Sequence, residues 1–191
     1  MDTVLDGYEA AAELVGLDVV RATRPRLEHA EMVDAEGVAR MARVGLVASV
    51  QPSFDAAWGG PHGMYAERLG AHRVPGTNPF ATMHDQGVLL ALGSDSPVTP
   101  FAPWGAVWAA VHHHEPAARL DVVDALSAHT AGGWAAARED GGGVLRVGAP
   151  ATLAVWDVPD AGDDGLPLVA AGAPHPSCRL TLRDGVVLHR T

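Results

Sequence analysis

Cysteine occurs once, at Cys178, which excludes a disulfide within the chain and fits a reducing, cytoplasmic setting. Basic residues are few and scattered. With no Lys/Arg cluster and a formal net charge of −10, no nucleic-acid partner is expected, and the acidic balance reads as a device for solubility. No stretch approaches the roughly 18 apolar residues of a membrane span. The opening MDTVLDGYEA has neither the basic start nor the apolar run of a secretory signal, so neither a membrane partner nor a leader is expected. Internal repeats are absent, so no repeat architecture is expected. What remains is 191 residues that are 48% hydrophobic, enough for one sizeable core, or one core and a small annex.

Apolar residues at helical spacing (Val4, Leu5, Tyr8, Ala11, Ala12, Val15) predict a helix over 3–15, stopped by Gly16. Arg26–Ala30 reads as a short strand. Asp34 is a good N-cap for a helix to Val44, with Gly45 closing it. Leu46–Val50 and Val88–Gly93 are short apolar runs that read as buried strands. Gly and Pro make 52–78 a long loop with one short helix near 62–70, and Pro79–Gly87 reads as a further short helix. Trp104–His113, Asp121–His129 and a start at Gly132–Ala137 read as helices. The alternation predicts an α/β protein with parallel βα units. After Glu139 the pattern changes. Asp140-Gly-Gly-Gly143 reads as a linker, and Ala151–Asp157 and Arg179–His189 read as strands, with Asp184-Gly185 a hairpin turn. A boundary is expected near 140, giving units 1–140 and 141–191.

Three positions carry candidate chemistry. His29 ends the first strand, where an imidazole can bind a metal or move protons, or be merely structural. Asp95 follows an apolar strand between Ser94 and Ser96, where a carboxylate can hold a metal, act as a base, or cap the next turn. Gln51 ends a strand before Pro52 and reads as a ligand contact or a turn residue. His112-His113-His114 is read against a metal site, because consecutive helical residues point in different directions. Gly141–Gly143 lacks the lysine and hydroxyl of a phosphate loop, and His129-Thr130 reads as packing or capping.

Taken in order, RLEHAEMVDAEGVARMARVGLVASVQP, NPFATMHDQGVLLALGSDSPV, ALSAHTAGGWAA and GGGVLRVGAPATLAVWDV resemble YtcJ-like members of the amidohydrolase superfamily, nearly end to end. The resemblance implies a metal-dependent hydrolase of amide-like, non-peptide C–N bonds, acting through a metal-activated water on a small-molecule substrate. It implies a (β/α)8 TIM-type barrel, of which this chain would hold about three βα units, strands six to eight, plus a β segment of a composite sandwich. His29 matches a metal-ligand histidine. Asp95 matches the aspartate that touches the metal, most simply zinc, and takes the proton. Gln51, Trp58, His62 and Trp104 are expected on loops that shape the substrate pocket.

The chain departs from that pattern. No His-x-His pair precedes His29, and no lysine-bearing strand occurs. The segment before residue 140 is well short of the ~250 residues of a typical barrel. The expectation is therefore a C-terminal portion inactive alone, which needs a missing N-terminal half or assembles as a homo-oligomer. The alternatives are a non-catalytic remnant, one half of a split protein with a partner chain, and a free-standing α/β binding protein.

Overall fold

A computed structural model describes residues 1–163, 165–167, 169–170 and 172–191. Among these residues the strands form two three-stranded sheets. In the first, β1 (Arg26–Glu28), β2 (Val47–Val50) and β3 (Leu89–Leu92) lie in that order and run parallel. Ala48 is central, opposite Leu27 on one side and Leu90 on the other. β2 is apolar on both faces because both are covered, as in parallel sheets generally. In the second, β4 (Leu153–Asp157), β5 (Ser177–Arg183) and β6 (Val186–Arg190) are antiparallel. The turn between β5 and β6 has positive φ at both Asp184 (50°) and Gly185 (79°), which matches the strands' twist.

α3 (Ala35–Val44) shows why local sequence succeeds. Asp34 accepts a hydrogen bond from the Gly37 amide at 2.8 Å, Val38, Met41 and Val44 fall on the buried face, and Gly45 closes the helix at φ 72°. α1 (Asp2–Val15) lies against α3, burying Leu5 completely. Arg40 donates to Glu9 and Asp6 across this contact. Its hydrogen bond is the leading cause that holds the Glu9 carboxyl below its ordinary range. The core gathers Leu46, Val50, Phe80, Met83, Leu92 and Val107 between sheet and helices.

Several expectations need correction. Gly16 is not a full stop: at φ 96° it ends α1 and starts α2 (Leu17–Ala22). The segment 52–78 holds the short helix expected near 62–70, α5 (Met64–Leu69), but also α4 (Pro52–Trp58) and a 3-10 turn at Val74–Gly76, where loop was expected. Pro52 there is a helix opener, not a breaker, since at the first helical position its missing N–H costs nothing. α6 (Phe80–Asp85) and α7 (Pro103–Val111) are shorter than read, so His113 and His114 lie beyond a helix. α8 (Val122–Ser127) passes through a π turn at Ala128–Gly132 into α9 (Gly133–Ala136). Gly141–Gly143, read as a linker, is closely packed. A Cβ on Gly142 would stand 2.2 Å from the Trp134 ring, and one on Gly143 2.5 Å from the Ala131 backbone.

Candidate functional site

Parallel strands deliver their C-terminal ends to one edge of the sheet, where side chains from successive loops can meet. His29 follows β1, Gln51 follows β2, and Asp95 lies three residues past β3. The His29 amide donates to the Ser49 carbonyl at 2.8 Å, and the Gly93 amide to the Val50 carbonyl at 2.9 Å, so the ladder carries on to the edge of the site. Beyond it the chain turns sharply. His29, Ala30 and Asp95 have φ of 68°, 51° and 51°. Residues in this left-handed region cost about 1–3 kcal/mol each and persist only where their surroundings fix them. Asp and His tolerate it better than Ala does.

His29 Nδ1 and Gln51 Oε1 are 2.8 Å apart, and Phe54 lies nearly parallel to the imidazole, 5.9 Å away at 18°. Gln51, expected at the pocket wall, is 5% exposed, and its amide is engaged inside the protein. Asp95 is exposed and its carboxylate has no hydrogen-bond or ion-pair partner among the described residues, His29 included. Trp58 ends α4 rather than standing on a loop, and it packs on Phe54 (4.6 Å) and Tyr65 (6.3 Å). His62 is exposed in a turn. Trp104 is the second residue of α7 and meets Trp156 edge-on at 6.1 Å, toward the second sheet. The structure thus brings His29, Gln51 and Trp58 into one chain of contacts through Phe54, while Trp104 has its ring contact elsewhere.

Two polar clusters escaped the sequence. Tyr65 donates its hydroxyl to Glu31, two residues past His29. Burial first, and then that bond, push the phenol well above its ordinary range. The other is centred on Asp55, 1% exposed. One carboxylate oxygen accepts the His114 amide at 2.9 Å and the His114 Nδ1–H at 3.0 Å. The other faces His113 Nε2 at 3.4 Å. His113 Nδ1 accepts the Glu115 amide at 3.0 Å, which places the ring proton on Nε2, toward Asp55. The direction rule that argued against convergence of these histidines applies within a helix, and α7 has already ended at Val111. The only sequence signal was the carboxylate four residues past Gln51.

Burial holds His113, and likewise His129, below the ordinary imidazole pKa. Folding therefore favours the neutral rings. The stability they contribute is complete above about pH 6.5 and is lost as pH falls from there toward the depressed folded values. Urea midpoints are expected to drop between neutral and mildly acid pH, and the drop should shrink in His129→Gln. A pH-independent midpoint would contradict the assignment.

No group of three or more His, Cys, Asp and Glu side chains among the described residues is placed to hold a metal ion. No helix is long and apolar enough to cross a membrane among the residues described.

The amidohydrolase family model matches residues 1–189. The chain is 30% identical over 165 residues to the N-substituted formamide deformylase of Arthrobacter pascens, covering 82% of this chain and 29% of that protein. It is 34% identical over 89 residues to the putative amidohydrolase YtcJ of Bacillus subtilis, covering 45% and 16%. Among solved structures, an uncharacterized metal-dependent hydrolase of Pyrococcus horikoshii is 31% identical at a TM-score of 0.56, over 71% of this chain and 29% of that one. The zinc-complexed atrazine chlorohydrolase TrzN of Arthrobacter aurescens, 19% identical at a TM-score of 0.65 over 86% and 36%, shares the fold. The chain spans well under half the length of each of these proteins, and within that span it belongs to the amidohydrolase family.

Proposed function

We propose that the chain is the C-terminal portion of a metal-dependent hydrolase acting on small, amide-like C–N bonds. In this reading residues 1–140 contribute strands six to eight of a (β/α)8 barrel, and residues 141–191 contribute to a β-sandwich. A cytoplasmic location goes with the single free cysteine. The observation that carries the reading is the arrival of His29, Gln51 and Asp95, in chain order, at the same end of three parallel strands. The likeness to a formamide deformylase supports an amide-like substrate.

His29 and Asp95 are the donors offered to a metal. Catalytic zinc normally takes three protein ligands, and these two do not by themselves fit it. What this chain supplies is an imidazole and a base. The exposed Asp95 carboxylate accepts a proton from an attacking water and returns it to the departing nitrogen. Trp58 and His62, on the segment after β2, and Trp104, after β3, would bound the substrate, and Gln51 would act on it through His29. The missing third donor also favours a second reading, a non-catalytic remnant or one half of a split protein completed by a partner chain.

The test is zinc content and amine release from an N-substituted formamide, measured on the purified chain and on a longer polypeptide that supplies further ligands. We expect no tightly held zinc and no turnover from the chain alone, and both from the longer form. One tightly held zinc with turnover by the chain alone would end the remnant reading. An inactive, zinc-loaded longer form would favour it.

A further inference from the structure

Gln51 faces two groups at once. Its Nε2 lies 3.4 Å from the Ser49 carbonyl, and its Oε1 lies 2.8 Å from His29 Nδ1. The Ser49 carbonyl also accepts the His29 amide at 2.8 Å. A carbonyl oxygen only accepts, so the edge of the Gln51 amide turned toward it must be the NH2 edge. That orients the amide and leaves its oxygen toward the imidazole. An oxygen acceptor bonds only a nitrogen that carries hydrogen, so the proton of the neutral ring sits on Nδ1 and the lone pair on Nε2.

We propose that Gln51 is a positioning residue that holds His29 in its Nδ1–H tautomer, so that Nε2 is the bare nitrogen offered to the site. The arrangement comes from β2. Ser49 fixes the amide of Gln51 and the backbone of His29 through one carbonyl, and Phe54, on the helix that begins after Gln51, flanks the ring face. An oxygen acceptor on the second ring nitrogen is the usual means of fixing which nitrogen of a working histidine is free. The inference builds on the functional role proposed for His29, but its test requires neither metal nor turnover.

The experiment is a long-range proton–nitrogen correlation spectrum of the chain labelled with 15N-histidine, recorded about two units above the ordinary imidazole pKa of ~6.5. Loss of its signals in His29→Gln assigns the ring. Wild-type His29 is expected to show a protonated Nδ1 and a bare Nε2. Gln51→Leu is expected to move the ring toward Nε2–H, the form that an unconstrained histidine side chain favours, while Gln51→Glu, which keeps an oxygen acceptor, retains Nδ1–H. A Gln51 with only a packing role would change stability and leave the tautomer alone. An Nε2–H ring in the wild type overturns the proposal whether or not the variants fold, and so does an unchanged tautomer in a folded Gln51→Leu. A chain that binds no zinc can still show the Nδ1–H signal, so failure of the functional reading stays separate from failure of this one.

Discussion

Asp95→Asn, made in a form of the protein that hydrolyses a C–N bond, is expected to lower kcat roughly 10²- to 10⁴-fold, the usual worth of a positioned general base. Asparagine is the informative replacement. The backbone at residue 95 has φ 51°, a conformation asparagine adopts readily, whereas alanine would lose the carboxylate and strain the turn together. The carboxylate has no hydrogen-bond partner to forfeit among the described residues, and the turn is held by other bonds, Val98 amide to Asp95 carbonyl at 2.8 Å and Thr99 hydroxyl to Ser94 carbonyl at 2.5 Å. Melting temperature should therefore stay close to that of the parent. Full turnover in a folded Asp95→Asn protein would remove Asp95 from the chemistry.

Asp55→Ala is expected to have the opposite profile, a loss of about 1.5–3 kcal/mol in stability, the usual worth of hydrogen bonds to a buried charged acceptor. The carboxylate is almost wholly buried and holds the segment after α7 against α4 through His113 and His114. Alanine would leave the His114 amide and the His114 Nδ1–H without their acceptor, and it would open a hole beneath Gly59, which packs on that carboxylate. For a chain of this size, a melting point lower by roughly 5–10 °C should follow. A change below about 1 kcal/mol by urea unfolding would mean that the cluster is incidental.

These predictions draw on features of unequal visibility in the sequence. β2 and β3 were readable as short, mostly buried apolar runs of a parallel sheet, α3 because Asp34 and Gly45 bracket it, and the β5–β6 hairpin because Asp184-Gly185 suits its turn. α2 and α4 are six and seven residues long, too short for a helical period to show, and their Gly and Pro neighbours read as loop, whereas the short helix expected near 62–70 is α5. His29 and Asp95 were found by position at strand ends and by family resemblance. The tie from His29 to Gln51 spans 22 positions and that from Asp55 to His114 spans 59, distances that no local pattern encodes. His113 and His114 were set aside by a geometric rule whose premise, a helix that continues, fails two residues too early.

The three glycines after Asp140 bear on how the two sheets move. Gly142 lies under the Trp134 ring and Gly143 against the backbone of the π turn, with no room for even a methyl group. Arg24 adds a forked bond to Asp140 at 2.7 and 3.0 Å. The chain therefore passes from α9 toward β4 through a clasp. Torque applied at the second sheet would be passed into the π turn and on to β3, against which that turn packs, instead of being dissipated in a free swivel.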